Sequence, residues 1–148
     1  MATLTVTLTE SVSLNSREQG GTSSFTVASI DEVMKRTVTC PASATTTVAT
    51  FATATSTSAG AIDAQDCKYI RVTNLDSANS VELAVVGAAT LYQVTLAAGQ
   101  SHVLGSPSVC MLAEADTSPS FGTMADVASL QVNPAGNAVT VEVFAASA

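Results

Sequence analysis

The sequence has no tryptophan, one histidine and only five basic residues among its 148. Aromatic residues make up 4% of it and charged residues 11%. Each shortage removes a class of function. Five bases do not make the Lys/Arg patch that phosphate contact requires, so nucleic acid is not an expected partner. Few aromatic rings leave little on which bases or sugars stack. A single histidine removes most zinc sites. The three cysteines, Cys40, Cys67 and Cys110, form no CxxC pair, which leaves zinc-ribbon and thioredoxin chemistry without support. Each is expected to act as a small hydrophobe, reduced, in keeping with assembly in a cytoplasm. The first residues, Met1 to Val6, have neither the basic nor the apolar segment of a signal peptide. Val81 to Ala98 is apolar, but Glu82, Gly87 and Gln93 interrupt it and no base flanks it. It reads as two short strands rather than a membrane span, and no membrane is expected as a partner.

What is present is apolar and small. Hydrophobic residues make up 47%, and 12 acids against five bases leave a net charge of −7. That balance is the opposite of disorder chemistry. The length fits one domain, residues 1–148, large enough to bury a core without metal or disulfide. Threonine and valine favour strands, because a branched Cβ fits the pleated surface. A surface this poor in charge lacks the repulsion that keeps monomers apart, which points to assembly; a small secreted β domain is the bland alternative.

The alternation of residues is clearest at the start. Leu4, Val6, Leu8, Val12 and Leu14 share one face of an extended chain, and threonines and serines share the other. Glu10 breaks the apolar face and marks a bulge, a bend or the point where an arm leaves the core. Residues 1–14 thus read as a possible extended N-terminal arm. Asn15 to Thr22 is loop chemistry. Phe25 to Ile30 and Val33 to Cys40 are strands, separated at Asp31-Glu32 by a turn or by a bulge within one long strand. Val48 and Phe51 mark a short strand. From Lys68 on, short apolar runs at Tyr69 to Leu75, Val81 to Gly87, Tyr92 to Leu96 and His102 to Leu104 are parted by turn residues, which predicts an antiparallel meander. Val109 to Met124 is mostly loop. Val127 to Val132 and Val139 to Val143 flank Asn133-Pro134-Ala135-Gly136-Asn137 as a final hairpin. The fold class expected is all-β: an antiparallel β-sandwich, jelly-roll-like, with few or no helices, and a small closed barrel as the alternative.

Chemistry is sparse. His102 and Ser101 are adjacent on one strand, so their side chains face opposite ways and do not make a catalytic pair. Asp63 and Asp66 offer two loop carboxylates for a calcium ion, without the repeated acidic loop that binds one tightly. Glu114 and Asp116 have the spacing of an acid pair and nothing else of a glycosidase. Thr53, Thr55 and Thr57 are too short a run for an ice-binding array. No GxGxxG, GxxxxGK[ST] or GxSxG motif occurs. No catalytic residue, no metal ligand and no cofactor is therefore assigned. Tyr69 and Arg71 share a strand face, and Arg71 is placed to pair with an acid across the sheet or across a subunit boundary. The residues singled out as assembly contacts are Leu4, Val6, Leu8, Val12 and Arg71.

Four segments, in order, carry a likeness. Ser29 to Val38 (SIDEVMKRTV), Lys68 to Asp76 (KYIRVTNLD), Leu96 to Ser101 (LAAGQS) and Val139 to Phe144 (VTVEVF) together resemble small virion structural proteins of tailed bacteriophages, particularly marine and cyanobacterial ones. The resemblance implies a non-enzymatic part of a virus particle. Foremost is a capsid decoration (cement) protein on the capsid exterior, assembled in the host cytoplasm, with the major capsid protein and its own copies as partners and a homotrimer favoured. A tail, collar or fibre component is the alternative within the virion. A small carbohydrate- or calcium-binding β module is the alternative of another class.

Overall fold

The computed structural model describes residues 1–54, 60–88, 91–112, 118–119 and 121–148. Among them are thirteen strands and no helix. Eight strands build two facing sheets. In chain order they are β5 (Glu32–Cys40), β6 (Thr46–Ala52), β8 (Cys67–Asn74), β9 (Val81–Gly87), β10 (Leu91–Leu96), β11 (Ser101–Leu104), β12 (Val127–Asn133) and β13 (Val139–Ser147). The two-residue β7 (Ile62–Asp63) adds a parallel edge to β6.

Their pairing is nested. The first of the eight pairs with the last, β5 with β13; then β6 with β12, β8 with β11 and β9 with β10, all antiparallel. Two further ladders, β8 with β13 and β9 with β12, join these pairs into sheets. One sheet has the order β10-β9-β12-β6-β7 and the other β11-β8-β13-β5. This is the winding of a jelly roll, so the expected antiparallel, jelly-roll-like sandwich is what the chain forms.

The physical cause is alternation. Val139, Val141, Val143 and Ala145 of β13 point inward, as do Ile70 and Val72 of β8, and all are at most 2% exposed. They meet Val81, Leu83, Val85, Leu130 and Val132 of the opposite sheet in one apolar cluster. Each valine, leucine or isoleucine among them contributes about 1.5–3 kcal/mol when fully buried. Cys40 and Cys67 sit fully buried in the same cluster, and Cys110 packs against it. All three thiols are free, and burial pushes each of them up from its ordinary pKa.

Two connections differ from the expectation. Val127–Asn133 and Val139–Ser147 do not form a hairpin: β12 belongs to one sheet and β13 to the other. The run from Lys68 is not a meander either, since only β9 and β10 pair as neighbours in sequence. The sheets of a sandwich lie about 10 Å apart, a gap that a short loop spans as readily as it turns within a sheet. Alternation is the same in both cases, so it does not separate them. The two segments of the Val81–Ala98 stretch are strands β9 and β10.

The polar turns close one end of the sandwich. Asp76 Oδ1 accepts hydrogen bonds from the amides of Ala78 at 2.8 Å and Asn79 at 2.7 Å. These bonds hold its carboxyl below the usual carboxylate range. Asn74 is fully buried beside this turn. Its Nδ2 faces the carbonyls of Asn79, Leu96 and Ala97 at 2.8, 3.1 and 3.2 Å, and its Oδ1 accepts from the Asp76 amide at 2.9 Å. One side chain thus ties together the β8–β9 and β10–β11 connections.

The first thirty residues stand apart. β1 (Ala2–Thr9) pairs with β4 (Thr22–Ile30), and β2 (Ser13–Leu14) pairs with β3 (Arg17–Glu18). Together they form one long hairpin. The loop expected over 15–22 is mostly the end of this hairpin, closed by Asn15 and Ser16. Both have positive φ, 52° and 62°, as a two-residue turn of mirror-image type requires. The arm is therefore a two-stranded ribbon, of which residues 1–14 are one half.

Candidate assembly interface

The arm leaves the sandwich at its base. Ala2 pairs with Ile30 and Leu4 with Val27, so Ala28 and Ser29 together oppose Thr3. Ser29 takes a positive φ of 63°. An extra residue of this kind bends a strand and re-aims it. After Ile30 the chain runs through Asp31, whose amide donates to the Ser147 carbonyl, straight into β5. The break at 31 therefore lies within one long run, half of it in the arm and half in the sandwich.

The near part of the arm lies on the outer face of the four-stranded sheet. Ile30, Tyr69 and Ala146 form a small buried cluster there, with Leu4, Val6, Val27 and Phe144 packed around it. Tyr69 is its hub. The Tyr69 ring lies 6.2 Å from that of Phe25 and 6.0 Å, edge-on, from that of Phe144. Such pairs contribute about 0.5–1.5 kcal/mol beyond the area they bury.

The far part has no such support. Leu8, Val12 and Leu14 are 62%, 54% and 62% exposed, while Phe25, beside Tyr69, is 51% exposed. The arm leaves the sandwich at its base and not at Glu10, which follows the end of β1 at Thr9. The Glu10 amide donates to the Gly21 carbonyl, and the Gln19 amide to that of Val12. Glu18 Oε1 accepts from the amides of Val12 at 2.9 Å and Gly20 at 2.8 Å, which holds the Glu18 carboxyl below its ordinary pKa. A Cβ on Gly20 would collide with the backbone carbonyl of Glu10, so only glycine fits this step.

Between the arm and the sheet runs a groove of about 510 Å³. One wall is the edge of β1, from Leu4 to Leu8, and the floor is Tyr69, Phe144, Val103 and Arg71. The β1 edge that faces it has no strand partner among the described residues, since β1 pairs with β4 alone. Arg71 is spoken for within the chain. Its Nη2 lies 2.7 Å from Glu142 Oε1, and Lys35 Nζ lies 3.1 Å from Glu142 Oε2. The Arg71 guanidinium also sits 6.0 Å from the Phe144 ring centroid.

Of the five residues singled out from sequence, the groove brings together Leu4, Val6, Leu8 and Arg71. Val12 lies beyond it on the far arm. Sequence reasoning did not select Phe25, Tyr69, Val103 or Phe144. The shared face of Tyr69 and Arg71 was the available signal for two of the floor positions.

The other polar candidates are held locally. His102 Nε2 meets the Tyr92 hydroxyl at 3.1 Å, between edge strands β11 and β10 of the two sheets. Burial pushes His102 down and Tyr92 up from their ordinary values. Ser101 Oγ turns the other way, to Thr73 Oγ1 at 2.7 Å, as adjacent strand positions require. Asp63 Oδ1 accepts from the Gln65 amide at 2.9 Å, the hydrogen bond of a loop turn. Among the described residues no group of three or more His, Cys, Asp or Glu is placed to hold a metal ion. Glu114, Asp116, Thr55 and Thr57 lie outside the described residues.

No protein-family model matches the chain, and no curated protein matches it. Among solved structures it is similar to a chain from work describing Bacillus endospore appendages as a novel family of disulfide-linked pili. The identity is 10%, the match covers 78% of this chain and 88% of that one, and the TM-score is 0.40.

Proposed function

We propose that this chain is a non-enzymatic structural protein of a tailed-bacteriophage virion, a capsid decoration protein that binds the outer shell and bridges capsid subunits. Its partners in this reading are the major capsid protein and its own copies, with a trimer favoured by the resemblance. The observation that carries the reading is the arm. Strands β1 and β4 contain no charged residue, project from a closed sandwich and carry exposed Leu8 and Phe25. Natural sheets protect free edges with lysine, proline or covering loops. An unprotected edge beside an apolar groove is a surface made to be covered by another chain. A decoration protein works mechanically: each copy buries area on its neighbours, and many modest contacts around a shell add up.

The test is the copy number of the chain in gradient-purified particles, measured by quantitative mass spectrometry against the major capsid protein. The expected result is a simple fraction of one, or one, per capsid subunit. A few to a few tens per particle would move the protein to the tail, collar or fibres. Absence from particles would overturn the virion reading. The structure also sets the right truncation. Removing residues 2–14 alone would leave β4 unpaired, so the arm is deleted as residues 2–28, and attachment to purified shells is expected to fall.

A further inference from the structure

We propose that the groove between β1 and the outer face of the four-stranded sheet is a slot for an arm strand of a second copy of this chain, paired to the free edge of β1. This deepens the structural-subunit reading by naming what the arm engages first: another copy, with the shell as a second contact.

The slot fits an extended strand. Its wall is the free edge of β1 from Leu4 to Leu8, about 16 Å long, which offers backbone groups in strand register. Its floor is apolar: Tyr69, Phe144 and the half-exposed Val103. The single cation lining it, Arg71, is already paired with Glu142, a carboxylate it shares with Lys35. An occupant should therefore be uncharged, extended and apolar on alternate residues.

The arm is itself such a strand. Neither β1 nor β4 carries a charge, and Leu8 and Phe25 stay open to solvent. Apart from Gly20, residues 7–26 are all exposed. The arm cannot fill its own slot, because its first strand is the slot's wall. It can fill the slot of a neighbour. Charge argues for the same partner. Charged residues are only 11% of the chain, so copies meet with little repulsion, and with least along an uncharged strand. Size agrees as well. A standard interface takes about 20–30 residues from each side, which the exposed arm and the slot together supply. A two-stranded hairpin without such cover is only marginally stable in water.

Sedimentation of the purified full-length chain from about 1 to 100 µM reads the association directly. The expected result is a dimer or closed oligomer. Leu8→Lys and Val103→Glu, both at exposed positions, are expected to weaken the association about tenfold or more each, with the thermal midpoint unchanged at dilutions where the wild-type chain is itself dissociated. Hydrogen exchange gives a second readout, in which the amides of Leu4 to Leu8 gain protection as concentration rises. A wild-type chain that stays monomeric over this range overturns the inference, as does association indifferent to both substitutions. So does a monomer that binds shell protein through the same slot. The two readings fail separately. A chain that associates in solution but is absent from particles overturns the virion reading alone. A monomer that still decorates shells overturns only the slot.

Discussion

Strands β13 and β1 carry the same pattern to different ends. In β13, Val139, Val141 and Val143 alternate with Thr140, Glu142 and Phe144, and the three valines are at most 1% exposed. In β1, Leu4, Val6 and Leu8 alternate with threonines, yet the first two are half-buried and the third is open. The difference lies in what surrounds each strand. β13 is bonded on both edges, to β5 and β8, and faces a second sheet. Among the described residues, β1 is bonded on one edge and covered only at its base. Alternation states that a face should be covered. It does not state that the chain itself supplies the cover.

The largest effects should come from the covered region. Leu83 is fully buried between the sheets, and Leu83→Ala is expected to cost about 2–5 kcal/mol, read as a lower midpoint in urea unfolding. The same truncation at Leu8 should leave that midpoint almost where it was. Equal losses at the two sites would mean that the arm is as much a part of the folded core as β9, and the contrast would be broken.

Asn74→Ala comes next. It leaves three carbonyls and one amide at the closed end without their side-chain partner, and unsatisfied groups of this kind cost about 1–3 kcal/mol. The loss should be accompanied by faster hydrogen exchange at Asp76, whose amide bonds to Asn74. A midpoint unchanged within error would show that water replaces the side chain freely, and that this end is more open than its burial implies.

Acid sharpens the comparison at the sandwich's edge. Burial lowers the pKa of His102 from 6.5, so the unfolded chain binds its proton more readily than the folded one. The stability that neutral His102 permits is full above 6.5 and is lost as pH falls through the folded-state value. The expected outcome is a thermal midpoint that declines on acidification below pH 6.5, with the decline flattened by His102→Gln. An identical slope in the variant would assign the acid sensitivity to other groups.

Much of this was legible beforehand, and the illegible part has a common cause. Period-two runs located nearly every strand, because an inward residue is apolar wherever its sheet ends up. Asp76-Ser77-Ala78-Asn79 announced its turn through a side chain that bonds its own backbone. What the runs did not carry was partnership. Asn133 to Asn137 reads the same whether it turns within a sheet or steps between two. Leu4 to Leu8 likewise gives no sign that Phe25 and Val27 lie beside it on the same ribbon. The groove floor drew on Tyr69, Val103 and Phe144 from three strands, a juxtaposition that only the jelly-roll winding creates. Asn15 and Ser16 read as loop because the residues of a two-residue turn and of an open loop are the same types.

The smallest effect on global stability, and the most local, is expected at Glu18. Its carboxylate draws in the amides of Val12 and Gly20 across the irregular step of the arm, and these bonds keep its pKa below 4.5. The order they confer is present above that value and is lost as pH falls through the lower, folded one. Glu18→Ala should therefore speed hydrogen exchange at Val12 and Gly20 at neutral pH, and should remove the acid-induced change at the same amides. The thermal midpoint should not follow, because no residue near this step is buried against the sandwich, and poorly supported segments open on their own. In an assembled oligomer the outcome should change. If a second copy covers the far arm, the same substitution will lower the assembly's midpoint while sparing the monomer's. That split places the arm's missing support in the neighbouring chain.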